Sequence, residues 1–226
     1  MSDSSRAIVP VDQRGVVVAV TRQIAITEKL LKRIVRWDKH CDELRELEDW
    51  QGLLDWCRRW TKSEPENPSV WNKLGAACNR LNRYEEAIDA YRQAIRINPE
   101  DAYAWRNLGY AYSGLNRWDE ANNAYQQAID AYRQAVRINP EYAYAWRNLG
   151  NAYSLLKRYD EAIDASRQAL RINPEDANTW NNLGTDYSLL KRYDEAIDVA
   201  KKLQRLDPKK ASILFNEIVR AKQLKE

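Results

Sequence analysis

The chain is poor in the residues that bind metals, break helices or build catalytic dyads. Its 226 residues include one histidine, three cysteines, seven glycines, seven prolines, one methionine and one phenylalanine. A lone His40 rules out a histidine-rich metal site, since a structural metal needs about four ligands. With Cys41 beside it, His40 reads as a residue of a helix-packing position. Cys41, Cys57 and Cys78 have no metal-ligand spacing, and an odd count argues against a disulfide framework, so a reducing, cytoplasmic setting is expected. No apolar run approaches the 18 residues of a spanning helix, and Val16 to Val20 is too short for a signal-peptide core. There is no Gly-rich phosphate loop and no Ser-His or Cys-His pairing, so neither catalysis nor a cofactor is expected. A net charge of +3 supplies no global field for nucleic acid or an anionic membrane.

What the chain does have is nine Trp and thirteen Tyr, placed periodically. Trp71, Trp105, Trp146 and Trp180 each open the phrase Trp-x-x-Leu-Gly, at spacings of 34, 41 and 34 residues. Each is followed by an alanine (Ala87, Ala121, Ala162, Ala196) and a closing proline (Pro99, Pro140, Pro174, Pro208). Trp71 and Leu74 share one face of a first helix, A. The glycine after Leu74 lets a second helix, B, come close. Short polar pairs such as Asn82-Arg83 turn the chain, and the proline ends helix B. A hairpin of this kind cannot bury its own apolar face, so neighbours must stack.

These motifs resemble the tetratricopeptide-repeat (TPR) family over most of the chain. The resemblance implies an all-α fold, a right-handed α-α superhelix of about five helix-turn-helix repeats with a C-terminal capping helix. Counting back one period from Trp71 and Pro99 reaches Trp37 and Pro65, so 34–67 reads as a degenerate first repeat, with Leu53, Cys57 and Trp60 at the places of Ala87, Tyr91 and Ala94. A bulky Trp60 there implies looser packing of that hairpin or a different crossing angle. The expected organisation is an extended or disordered tail at 1–22; an N-terminal helix, with Thr27 as N-cap, and the degenerate repeat at 23–67; repeats at 68–101, 102–142, 143–176 and 177–210; and a cap at 211–226, with Ile213, Leu214, Ile218, Val219 and Leu224 as its buried stripe.

The 41-residue period carries a near-duplicated heptad. Ala124-Tyr125-Gln126-Gln127-Ala128-Ile129-Asp130 is followed by Ala131-Tyr132-Arg133-Gln134-Ala135-Val136-Arg137. Seven residues turn a helix by about 700°, within roughly 20° of two full turns, and lengthen it by about 10 Å. An unbroken helix from about Asp119 to Ile138 is expected, the alternative being a bulged loop with the normal repeat restored around it. Apolar surface at Tyr125 or Tyr132 could be left for a second copy to cover.

In the family, A helices line the concave face. The resemblance therefore points to Tyr103, Arg106, Asn107 and Tyr110; to Tyr144, Arg147, Asn148 and Asn151; and to Asn178, Asn181 and Asn182, with Thr185 beside them. Asn107, Asn148 and Asn182 recur at one register position and resemble an asparagine ladder that grips a peptide backbone through both amide groups. Arg106 and Arg147 favour a carboxylate. The family's clamp for chaperone tails is matched only at Arg147, Asn151 and Asn182, because Ser212 and Asn216 replace its last two cations. The function expected is a non-enzymatic scaffold for an extended, acidic or neutral peptide or partner protein. Self-assembly through the tail or the heptad is one alternative, and single-stranded RNA held by Tyr and Arg, disfavoured by the near-neutral charge, is another. The pairs Glu85-Glu86 and Asp119-Glu120 open B helices, where acids complement the helix dipole.

Overall fold

The computed structural model describes residues 37–223; the expectations for residues 1–22, for a helix with Thr27 as its cap and for Leu224 lie outside them. All regular structure among the described residues is helical. The elements are α1 (37–46), α2 (Trp50–Ser63), α3 (Pro68–Arg80), α4 (Tyr84–Ile97), α5 (Ala102–Gly114), α6 (Trp118–Ile138), α7 (Ala143–Leu155), α8 (Tyr159–Ile172), α9 (Ala177–Leu189), α10 (Tyr193–Leu206) and α11 (Pro208–Gln223). Odd-numbered helices up to α9 are the A helices and even-numbered ones the B helices. Each helix packs on its neighbours in sequence, the pattern of a solenoid. No helix among the described residues is long and apolar enough to cross a membrane.

Local chemistry sets both corners of every repeat. At the A-to-B turn Asn82, Asn116, Lys157 and Lys191 take φ near +60°. The N–H of the following arginine then bonds the carbonyl five residues back, as in Arg83 to Cys78 and Arg117 to Tyr112, both 2.9 Å. This closes the A helix with a Schellman-type cap. At the B-to-A corner the indole N–H of Trp71, Trp105, Trp146 and Trp180 donates to the carbonyl of Pro65, Pro99, Pro140 and Pro174, at 2.7 to 2.8 Å.

Within a hairpin the glycine of Leu-Gly is required by a close approach. A Cβ on Gly75 would sit 2.7 Å from the ring of Tyr91, and one on Gly109 would sit 2.4 Å from Tyr125. Between hairpins an arginine of one B helix donates to the tyrosine hydroxyl of the next A helix: Arg92 to Tyr112 at 2.8 Å, Arg133 to Tyr153 and Arg167 to Tyr187 at 2.7 Å. The turn arginines Arg117, Arg158 and Arg192 cover the same rings.

The degenerate first hairpin is built from aromatics. Trp60 is fully buried, with the Trp37 ring 5.5 Å away, so a large side chain fills the place held by Ala94 and Ala169 in later hairpins and by Leu203 in the last. His40 meets the Trp56 ring edge-on at 4.2 Å, and all three cysteines are free and buried. On α11 only part of the expected stripe is buried. Ala211, Leu214 and Ile218 face the stack, whereas Ile213 is 51% exposed, because its neighbour Leu214 holds the place against α9 and α10.

One buried position breaks the repeat. Ala77, Ala111 and Ala152 are fully buried at equivalent sites in α3, α5 and α7, and the site in α9 is Asp186, 1% exposed. Its carboxylate accepts from Ser154 Oγ at 2.5 Å, and its second oxygen has no partner. Burial pushes the carboxyl up from 3.8 to about 7. The folded state therefore binds a proton that the unfolded chain has already lost between these two values. Stability falls as pH rises through that window and stays reduced above it. Thermal melts should show Asp186→Asn more stable than wild type at pH 8, by up to about 4 kcal/mol. The gap should close towards pH 4, and a constant gap would refute the assignment.

Candidate functional site

The register of the tryptophans defines one face of the A helices. In α3 the residues two before Trp71 and one, two and five after it are Ser69, Asn72, Lys73 and Ala76. All four line a cleft of about 750 Å³, which is completed by Asp42 and Arg45 of α1, by Arg80, and by Asp101 and Tyr103 at the start of α5. Lys73 pairs with Asp38 at 3.3 Å, and Arg80 lies over the Trp50 ring at 4.9 Å. Sequence reasoning missed this part of the face because it began at Trp105. The same offsets applied to Trp71 would have found it.

Further along, the expected residues occupy three environments. Tyr110 and Tyr144 are about 40% exposed, and Asn178 is exposed at the start of α9. Tyr103, Asn151, Asn181 and Asn182 are half-buried, and the Asn182 side chain makes no hydrogen bond among the described residues. Asn107 and Asn148 are buried in the wall between A helices, at 8% and 3% exposure. The Asn148 amide donates to the Tyr144 carbonyl at 2.7 Å and accepts from Arg106, so both halves of it are engaged inside the stack. Arg147 reaches Asp176 at 3.1 Å, and the Tyr110 hydroxyl reaches Asn151 at 3.3 Å.

The inserted heptad shapes this wall. The helix α6 runs 21 residues without a break. In an ordinary repeat one heptad does two jobs: Tyr91 lies against Gly75 of its own hairpin, and Arg92 reaches Tyr112 of the next. In α6 the jobs are divided, since Tyr125 of the first copy lies against Gly109 and Arg133 of the second copy reaches Tyr153. Both Tyr125 and Tyr132 are buried, at 3% and 4% exposure, so the expected apolar overhang does not exist; α5 and α7 close over the inner face of the long helix. Backbone contact between consecutive A helices is made by α3 with α5 and by α7 with α9, while α5 and α7 stand further apart and are joined by long side chains, Arg106 to Asn148 and Tyr110 to Asn151.

A stacked series of helical hairpins with one continuous polar and aromatic face is a protein-interaction scaffold of the solenoid class. The chain belongs to the tetratricopeptide-repeat family: a TPR repeat model matches residues 77–116, and two Tetratricopeptide repeat models match 101–175 and 177–210, together more than half of the chain. No curated protein matches it. Among solved structures it is similar to MamA, with 27% identity, TM-score 0.50, 76% of this chain and 96% of that one covered. It is also similar to TTC0263, a thermophilic TPR protein of Thermus thermophilus, with 24% identity, TM-score 0.64, 81% and 95% covered. A MamA fragment from Desulfovibrio magneticus RS-1 shares the fold at 18% identity and TM-score 0.53, with 76% and 94% covered.

Division of labour in α6 leaves Tyr132 with no glycine to lie against, and its buried hydroxyl has no hydrogen-bond partner. An unpaired buried hydroxyl costs about 1 kcal/mol or more, so Tyr132→Phe should leave stability unchanged or raise it by about that amount. Tyr125→Phe, which loses the Ser113 contact at 3.2 Å, should lower it. Urea denaturation of the two variants checks the contrast, and equal losses would contradict it.

Proposed function

We propose that this chain holds an extended polypeptide along the face of its A helices. The observation that carries the reading is the recurrence of one set of register positions. Around Trp71 they line an open cleft, and around Trp105, Trp146 and Trp180 they present tyrosines, arginines and amides on successive helices. Exposed Tyr110 and Tyr144 offer flat surface at low entropic cost, and the amides of Asn178, Asn181 and Asn182 can pair with peptide groups in either direction. Because Asn107 and Asn148 are turned into the wall, the accessible part of the amide series lies towards α9. The cleft end carries both signs, with Asp42 opposite Arg45, Lys73 and Arg80, and suits a mixed-charge segment. Free buried cysteines suit a reducing cytoplasm.

Self-assembly is the competing reading. Its support is that the last helix keeps Ile213 and Phe215 about half exposed at the end of the stack. Light scattering over a range of concentrations tests it. Growth in size that Ile213→Lys and Phe215→Lys abolish would favour end-to-end association.

For the groove, calorimetry with a panel of extended acidic and neutral peptides is the test. Wild type should bind members of the panel, and a Tyr110→Ala, Tyr144→Ala, Asn182→Ala triple variant should bind them at least about tenfold more weakly, a difference of about 1.4 kcal/mol. Failure of the wild type to bind any peptide of the panel would overturn the reading.

A further inference from the structure

The first hairpin carries cysteine on both sides of the point where the two helices of a hairpin come closest. In later hairpins that point is a glycine of the A helix and the residue sixteen places on in the B helix. A Cβ on Gly75 would sit 2.7 Å from the Tyr91 ring, one on Gly150 would sit 2.9 Å from Ser166 Oγ, and one on Gly109 would likewise run into Tyr125. Counting back one repeat of 34 residues from Gly75 and Tyr91 gives Cys41 in α1 and Cys57 in α2. Both are buried in one core with Trp60, and Trp37 packs against it. The exchange is compensating: Cys41 brings the Cβ that glycine avoids, and Cys57, smaller than tyrosine, leaves room for it. It also sets two sulfurs face to face.

The two thiols are not alike. Cys41 lines the cleft of about 750 Å³, beside Asp42, Trp50 and Lys73, so a water-sized reagent meets its sulfur from the open side. Cys57 lies behind it with no exposed surface. A hydrogen bond from Cys57 holds the Cys41 thiol below its usual range, with help from Lys73 and against burial, Asp38 and Asp42. The same bond, together with burial and the charge on Cys41, pushes Cys57 up. Cys78, the third thiol of this core, is pushed up to about 11 by burial and does not line the cleft. Cys41 is therefore the thiol that ionises first. Among the described residues no three His, Cys, Asp or Glu side chains are grouped to hold a metal, so the pair is not part of such a site.

We propose that Cys41 and Cys57 form a peroxide-sensitive thiol pair, in which Cys41 reacts from the cleft and Cys57 closes a disulfide between α1 and α2. In the first step the Cys41 thiolate attacks one oxygen of hydrogen peroxide. An S–O bond forms, the O–O bond breaks, and the leaving hydroxide takes up a proton to become water, so the sulfur loses two electrons and the peroxide gains them. In the second step the Cys57 sulfur gives up its proton and attacks the Cys41 sulfenic acid. The S–S bond forms, the S–O bond breaks, and a second water leaves. Oxidation of Cys41 removes the partner whose hydrogen bond and charge keep Cys57 protonated, so the first step prepares the second. In a reducing compartment such a bridge is transient, because a thiol reductant reverses it. While it lasts, it ties α1, and with it Asp42 and Arg45 of the cleft wall, to α2. Nothing in this chemistry depends on what the A-helix face holds.

The test treats the reduced full chain with hydrogen peroxide, alkylates the remaining thiols and maps the peptides by mass spectrometry. A link between Cys41 and Cys57 should form in the folded protein, exceed any link to Cys78 by at least about tenfold, and vanish with dithiothreitol. Cys57→Ser should halt at a sulfenic acid on Cys41, captured by dimedone, and Cys41→Ser should leave Cys57 unlabelled. Cys78→Ser should leave the link unchanged. Because the link is read in the wild type, a variant that fails to fold does not remove the test. Absence of the link, a link that forms only in urea, a link to Cys78 in equal yield, or dimedone labelling of Cys57 at the level of Cys41 would each overturn the proposal and leave the cysteines as fillers of the hairpin core.

Discussion

The bond from the indole of each repeat-opening tryptophan, Trp71, Trp105, Trp146 and Trp180, to the carbonyl of the proline six residues upstream governs how the hairpins are laid one on another. Proline ends the B helix because it cannot continue the hydrogen-bond ladder, and the same residue's carbonyl then receives the first large side chain of the next A helix. The corner is thereby held at both ends within six residues. Four successive tryptophans make this bond at nearly one length, so the corner is the same at ordinary repeats and at the long one. Everything that repeats with the tryptophan, including the glycine seat and the positions on the A-helix face, inherits its placement from that corner.

Seven extra residues test how much of the repeat depends on distance along the B helix. Since seven residues are close to two helical turns, the buried face of α6 stays buried, and the disturbance appears as a separation of tasks rather than a break. The first heptad copy serves its own hairpin and the second serves the next. The tyrosine left over, Tyr132, packs in a core shared with residues of α5 and α7. At this junction the capping position, Asp101 in α5 and Asp176 in α9, is Tyr142 in α7, which makes no side-chain cap.

Asp186 shows a different departure from the repeat. It occupies a buried alanine site with one serine as its partner, and no charged group among the described residues offsets its burial. The last repeats therefore contain the titratable group with the clearest link between proton binding and folding. Fold and face do not need it, since the three earlier repeats use alanine there.

Periodicity in the sequence was enough to mark the repeated hairpins and the long α6, because Trp, Gly and Pro each have a local or nearest-neighbour physical task that recurs with the repeat. The register positions on the A-helix face came from the family resemblance, and the same offsets at Trp71 fall on residues that line the cleft. Whether a given position is open was decided only by tertiary structure. Asn107, Asn148 and Asn182 are equivalent in register, yet two are sealed in the wall and one is half-buried, because exposure depends on which side chains the neighbouring helices place over each, as Arg106 does over Asn148. Tyr125 and Tyr132 looked like an overhang for a related reason: the length of a helix is written in its own residues, but what covers it is contributed by helices that the duplication moved.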